Sequence, residues 1–181
     1  MTDAPLVVVL GVGNTLMQDD GVGVWAVRAV AQAYELPSHV RLVDGGVAGL
    51  RCLPEIEAAE HLLIIDAVEG EGLPGTIYRL RSEDLPGGRG PFMSAHEVGI
   101  TEVLAVARLL EKLPHTRILG VQPLEARAVG LDLTPPLQDA LPRVVAAIVD
   151  ELQALGVEVR EKKDINHADL KLTSEVAEHD A

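Results

Sequence analysis

The chain has one cysteine, Cys52, and only four aromatic residues, Trp25, Tyr34, Tyr78 and Phe92. A single thiol excludes an internal disulfide and a cysteine-built zinc site, and a cytoplasmic location is the resulting expectation. With so few rings, the core must be aliphatic. Basic residues are scarce too: 15 Lys and Arg stand against 28 Asp and Glu, a formal net charge of −13. That balance repels nucleic acid and anionic lipid and favours a basic or metal-bearing partner. No apolar run approaches the length of a membrane span, and Met1–Pro5 lacks the basic region and apolar core of a signal peptide. Neither nucleic acid nor a membrane is therefore expected as a partner.

What is present is organised around Leu6–Gly23, LVVVLGVGNTLMQDDGVG. An unbroken apolar run suits a strand buried on both faces of a parallel sheet. Gly11 and Gly13 allow a tight turn where it ends, Asn14 can bond its own loop backbone, and Asp19 and Asp20 stand at the entry to an amphipathic helix. Either aspartate would cap that helix, expected from about Gly21 to Tyr34. Further strands are expected at 40–43, closed by Asp44-Gly45-Gly46, at 61–65, ending at Asp66, at 75–80 and at 117–121. Leu50 to Glu60 reads as a short helix, and 86–91 as a loop. Ser94-Ala95-His96-Glu97 is a capping box opening a helix with Ile100, Val103, Leu104, Ala107 and Leu110 on one face. Thr134-Pro135 starts the last helix, which Pro142 should kink or divide and Gly156 should end. Alternating strands and helices imply an α/β sandwich with a largely parallel sheet. One domain is expected over 1–160, with a polar, mobile tail over 161–181.

Asp20, Asp66 and His96 each fall after a strand or at a helix start, so all three can lie at one edge of the sheet. Two carboxylates and an imidazole suit a borderline divalent metal such as nickel, zinc or manganese. A positive helix end disfavours imidazolium at His96, and neutral imidazole is the form that binds metal. On pattern alone, Asp20 is equally a cap, Asp66 a strand-end turn residue, and His96 a helix-end histidine bonding backbone. Asp44, followed by two glycines, is a fourth candidate, catalytic or substrate-positioning. Cys52 reads as a small core residue. A Rossmann-like dinucleotide-binding oxidoreductase shares the outline of strand, glycine turn, helix, strand and acid. Its fingerprint fails, because Leu16 stands where the third glycine belongs.

The sequence resembles the nickel-iron hydrogenase maturation endopeptidases over roughly residues 5–157. The resemblance rests on Gly11-Val12-Gly13-Asn14, Asp19-Asp20-Gly21, Asp44-Gly45-Gly46, Leu62-Leu63-Ile64-Ile65-Asp66-Ala67, Ser94-Ala95-His96-Glu97-Val98-Gly99, Gly120-Val121-Gln122-Pro123 and Gly130-Leu131-Asp132-Leu133-Thr134-Pro135. It implies a three-layer sandwich of the phosphorylase/hydrolase-like kind, a twisted, mostly parallel mixed sheet with helices on both faces. It implies an endopeptidase that cuts a C-terminal extension from the precursor of a nickel-iron hydrogenase large subunit. Asp20, Asp66 and His96 would bind the nickel of the substrate, with no permanent metal in the enzyme. Some members hold glutamate at the position of Asp20; aspartate sets the carboxylate back by one methylene. A monomer is expected. A non-catalytic nickel chaperone using the same ligands is the other reading.

Overall fold

The computed structural model describes residues 4–47, 49–81, 93–94 and 100–162. In chain order these form β1 (Val7–Val12), a 3-10 turn (Gln18–Gly21), α1 (Val22–Ala33), β2 (Tyr34–Glu35) and β3 (Val40–Gly46). A second 3-10 turn (Gly49–Cys52) leads into α2 (Leu53–Ala58), then β4 (His61–Glu69), β5 (Ile77–Arg81) and β6 (Met93–Ser94). The order closes with α3 (Ile100–Leu109), β7 (His115–Val121), α4 (Pro135–Ala154) and β8 (Arg160–Glu161). No helix among the described residues is long and apolar enough to cross a membrane.

The main sheet runs β3-β1-β4-β7-β5, with β6 added to the end of β4. β1 pairs in parallel with β3 and β4, and β4 with β7; β5 and β6 join antiparallel. It is thus a mixed, mostly parallel sheet. Its apolar strands are continuous because both faces are covered. Val7 and Val9 pack with α1 and α4 on one face, through Val22, Ala26, Val30, Leu137, Val144 and Ile148. Val8 and Leu10 turn to the other face, against Ile56 of α2 and Val103, Leu104 and Ala107 of α3. This is the expected helix-sheet-helix sandwich. The chain leaves β1 through α1 toward β3, then returns through α2 to β4 on the other side of β1. The β1/β4 boundary is therefore the point where the winding reverses, where α/β sheets open a crevice beyond their carboxyl ends.

Several local expectations need correction. β4 does not stop before Asp66 but runs to Glu69, because Asp66 pairs with Gly120, Ala67 with Val121, and Val68 with Ser94 of β6. Ser94 is accordingly a strand residue. The rest of the expected capping box, 95–97, lies outside the described residues, as does the loop 86–91. Pro142 neither divides α4 nor ends it. Its ring is exposed, while the buried stripe of Leu137, Leu141, Val144, Val145, Ile148 and Leu152 holds both halves against one core. Packing there outweighs the lost backbone hydrogen bond. Gly156 does follow the helix end, with φ +80°.

The proposed boundary at 160 falls inside β8. Arg160 and Glu161 pair with Glu35 and Tyr34, the Lys162 N–H donates to the Ala33 carbonyl, and Lys162 Nζ donates to that of Ala31. The remainder of the expected tail, 163–181, lies outside the described residues.

Candidate active site

The loop after β1 folds back tightly over the start of α1. Gly13 has φ +136°, and a Cβ there would sit 1.9 Å from the Asp20 carbonyl oxygen; only glycine fits. One turn on, a Cβ at Gly23 would lie 2.1 Å from the carbonyl oxygen of Ile65. These two glycines bring the entry of α1 against β4, so the turn carrying Asp20 packs beside the strand carrying Asp66. Both carboxylates are buried, Asp20 at 4% exposure and Asp66 at 2%. Asp66 shares its parity with Leu62, Ile64 and Val68, which face α2 and α3, so its side chain leaves the sheet on that side. His96 lies outside the described residues. Ser94, two positions before it, is opposite Val68, two positions after Asp66. Among the described residues, no group of three or more His, Cys, Asp and Glu forms a metal-binding cluster.

Neither acidic residue caps α1. Its N-cap is Gly21, with no side-chain cap bond. Asp20 Oδ2 instead accepts the Asn14 N–H at 2.8 Å, while Asn14 Oδ1 accepts the Leu16 N–H at 3.0 Å, the local loop bond expected of asparagine.

Asp19 has a role that the sequence did not disclose. Fully buried, it accepts Thr134 N–H at 2.7 Å on Oδ1, and Leu124 N–H, Glu125 N–H and the Thr134 hydroxyl at 2.9, 3.0 and 2.7 Å on Oδ2. One carboxylate thus fixes both ends of the loop between β7 and α4. Thr134 is the N-cap residue of α4 as expected, yet its hydroxyl is spent on Asp19 rather than on the helix. Gln122 is a second missed organiser: its Oε1 accepts Gly70 N–H at 2.7 Å and Tyr78 O–H at 2.9 Å.

Asp44 sits at the carboxyl end of β3, beside Gly11 of β1. Its Oδ2 accepts two bonds from Arg28, 3.1 Å from Nε and 2.7 Å from a terminal nitrogen, and its Oδ1 accepts Gly46 N–H at 3.2 Å. Arg28 also lies over the Trp25 ring, 5.1 Å from its centroid. The carbonyl of Gly46 in turn receives the Gly13 N–H at 2.9 Å, so Asp44 helps to hold the glycine turn around Asp20. Cys52 is buried in the core as expected. Burial, then the charges of Glu55 and Asp44, push its thiol pKa above the ordinary value. It stays protonated and is a poor nucleophile.

The family model of the hydrogenase maturation proteases (HycI) matches residues 24–151. The chain belongs to the hydrogenase maturation protease family. It is 39% identical over 163 residues to the hydrogenase expression/formation protein HupD of Rhodobacter capsulatus, covering 89% of this chain and 78% of that one. It is 34% identical over 162 residues to the hydrogenase 2 maturation protease of Escherichia coli (strain K12), covering 88% and 98%. Among solved structures, the hydrogenase maturating endopeptidase HybD from E. coli superposes with a TM-score of 0.78 at 32% identity, over 88% of this chain and 99% of that one.

This maturation protease is therefore a hydrolase of peptide bonds. Its Asp20 and Asp66 are buried carboxylates on adjoining elements.

Proposed function

We propose that this maturation protease removes the C-terminal extension from the precursor of a nickel-iron hydrogenase large subunit after nickel has been inserted. In this reading Asp20, Asp66 and His96 bind the substrate's nickel. The observation that carries it is the pair of buried carboxylates on adjoining elements at the sheet's winding reversal. Two aspartates on adjoining elements supply oxygen donors of the kind a divalent cation takes, and this edge is where such folds bind ligands.

The nickel belongs to the substrate. Once bound, it supplies a Lewis acid that can polarise the scissile carbonyl or lower the pKa of water. The protein's own groups orient and exclude. Asn14 N–H fixes one oxygen of Asp20, and Asp44 acts as a positioning residue through Gly46 and the Gly13 turn. The domain works in the cytoplasm as a monomer.

The test is incubation of the full chain with nickel-loaded and nickel-free precursor, followed by mass measurement of the large subunit. Cleavage of the loaded form alone is expected. Asp66→Asn and His96→Ala should abolish it while circular dichroism stays unchanged. Equal cleavage of both precursors would refute metal recognition. Tight nickel binding by the isolated protein without cleavage would favour the chaperone reading.

A further inference from the structure

Four large apolar side chains stand in water on one small part of this molecule. Leu16 is 58% exposed, Leu124 56%, Val129 87% and Leu131 53%. All four belong to two loops, the one after β1 and the one between β7 and α4. Those loops are stitched together: Gly130 N–H donates to Leu16, Gln18 N–H donates to Gly130, and Met17 bridges Gly130 as an isolated parallel pair. Asp19 fixes the second loop at Leu124, Glu125 and Thr134. Solvent-facing loops are usually mobile and polar. A loop held from both sides that still presents clustered apolar groups marks a contact surface. Its backbone freedom is already spent on folding, so a partner landing there loses little further entropy.

The place and the charge say what the partner is. Leu16 lies four residues before Asp20 on the same loop, so the ridge is continuous with the crevice that takes the substrate. Glu125 and Asp132 stand exposed among the apolar residues. Glu69 and Glu125 line a recess of about 380 Å³ beside Leu124, across which Arg127 reaches Glu69 at 3.5 Å. The surface is thus apolar with an acidic surround, on a chain of net charge −13. Its complement is an apolar patch flanked by basic side chains.

We propose that the ridge formed by Leu16, Leu124, Val129 and Leu131 is the docking surface for the folded hydrogenase precursor, gripping an apolar, basic-edged patch of it and so presenting the scissile bond to Asp20 and Asp66. This rests on the function proposed above and assigns the grip to residues outside the ligand set.

The test replaces Val129 and Leu131 together by aspartate in the full chain and follows processing of nickel-loaded precursor. KM should rise by about tenfold or more, with kcat within about twofold, because the contact is made equally in ground and transition states. The Val129→Ser, Leu131→Ser pair should move KM the same way by less, since it removes apolar area without adding charge. Raising the salt concentration should raise the wild-type KM. Leu109→Asp, at the 83% exposed far end of α3, should change nothing. A wild type that processes while the aspartate variant keeps its KM overturns this proposal and leaves the proposed function standing. So does a fall in kcat alone, or a ridge whose mutation disperses a dimer of the enzyme without touching processing. A wild type that cleaves no hydrogenase precursor overturns both.

Discussion

Replacing Asp19 by alanine should destabilise this protein strongly, because its carboxylate holds two segments distant in sequence. Asp19 accepts four hydrogen bonds, two of them from Thr134 in a fully buried setting and two from the partly buried amides of Leu124 and Glu125. A hydrogen bond to a charged group is worth about 1.5–3 kcal/mol, and a buried donor left unmet costs about 1–3 kcal/mol. The two Thr134 bonds count in full; water can reach the other two donors once the side chain is gone, so they count in part. Since neighbouring bonds are not additive, a net loss of about 4 kcal/mol is expected, near the upper end for single substitutions. At roughly 2–4 °C per kcal/mol for a chain of this size, the melting temperature falls by about 10 °C. Asp19→Asn keeps one oxygen but turns an NH2 toward a donor, and should lose about half as much. Asp20→Ala gives up the bond from the Asn14 N–H and should end processing. Urea denaturation followed by circular dichroism, with the slope unchanged, measures all three. If Asp19→Ala loses less than about 1 kcal/mol, the carboxylate is not the staple described above.

Three further outcomes are expected. Pro142→Ala should raise stability by about 1–3 kcal/mol, because α4 already runs unbroken through an exposed proline and alanine restores its hydrogen bond; a loss in thermal denaturation would contradict this. Cys52 should resist alkylation in the folded protein and react freely in denaturant. Its folded pKa lies above the unfolded one, so the unfolded chain sheds the proton first and stability falls as pH rises through the ordinary thiol range; Cys52→Ala should remove that part of the decline. A chain ending at Lys162 should melt within a few degrees of the full chain, whereas one ending at Val159 loses the pairing of Arg160 and Glu161 with β2 and should melt lower.

The elements that could be read from the sequence are those whose cause is local. β1 is legible because a strand covered on both faces must be apolar throughout. The end of α4 is legible because Gly156 follows it in the left-handed region. β4 was read too short because a carboxylate after four aliphatic residues looks like a strand end. The extension to Glu69 is made by partners on β6 and β7, which local sequence does not contain. That α4 is not divided at Pro142 has a related reason: the proline's effect on a lone helix is large, but a stripe packed on both sides of it decides the outcome. Asp19 was the least legible of all. Its acceptors serve donors 105 to 115 positions away, and no spacing rule reaches that far.

The acidic pair is therefore not one feature but two joined back to back. Asp19 turns inward and fixes the loop after β7; Asp20 is held by Asn14 at the crevice. Because they are consecutive, the posture of one constrains the other through a single peptide unit. The loop bearing Leu124, Val129 and Leu131 is thereby set at a fixed height above the carboxylates, and so is the turn bearing Leu16. A protease that must find one bond on a folded protein gains from that coupling, since a misplacement of about 1 Å at the reacting centre can cost about a hundredfold in rate. Loosening Asp19 should then harm processing even under conditions where the variant remains folded, with KM and kcat both affected. Loss of Leu131 alone would touch KM only.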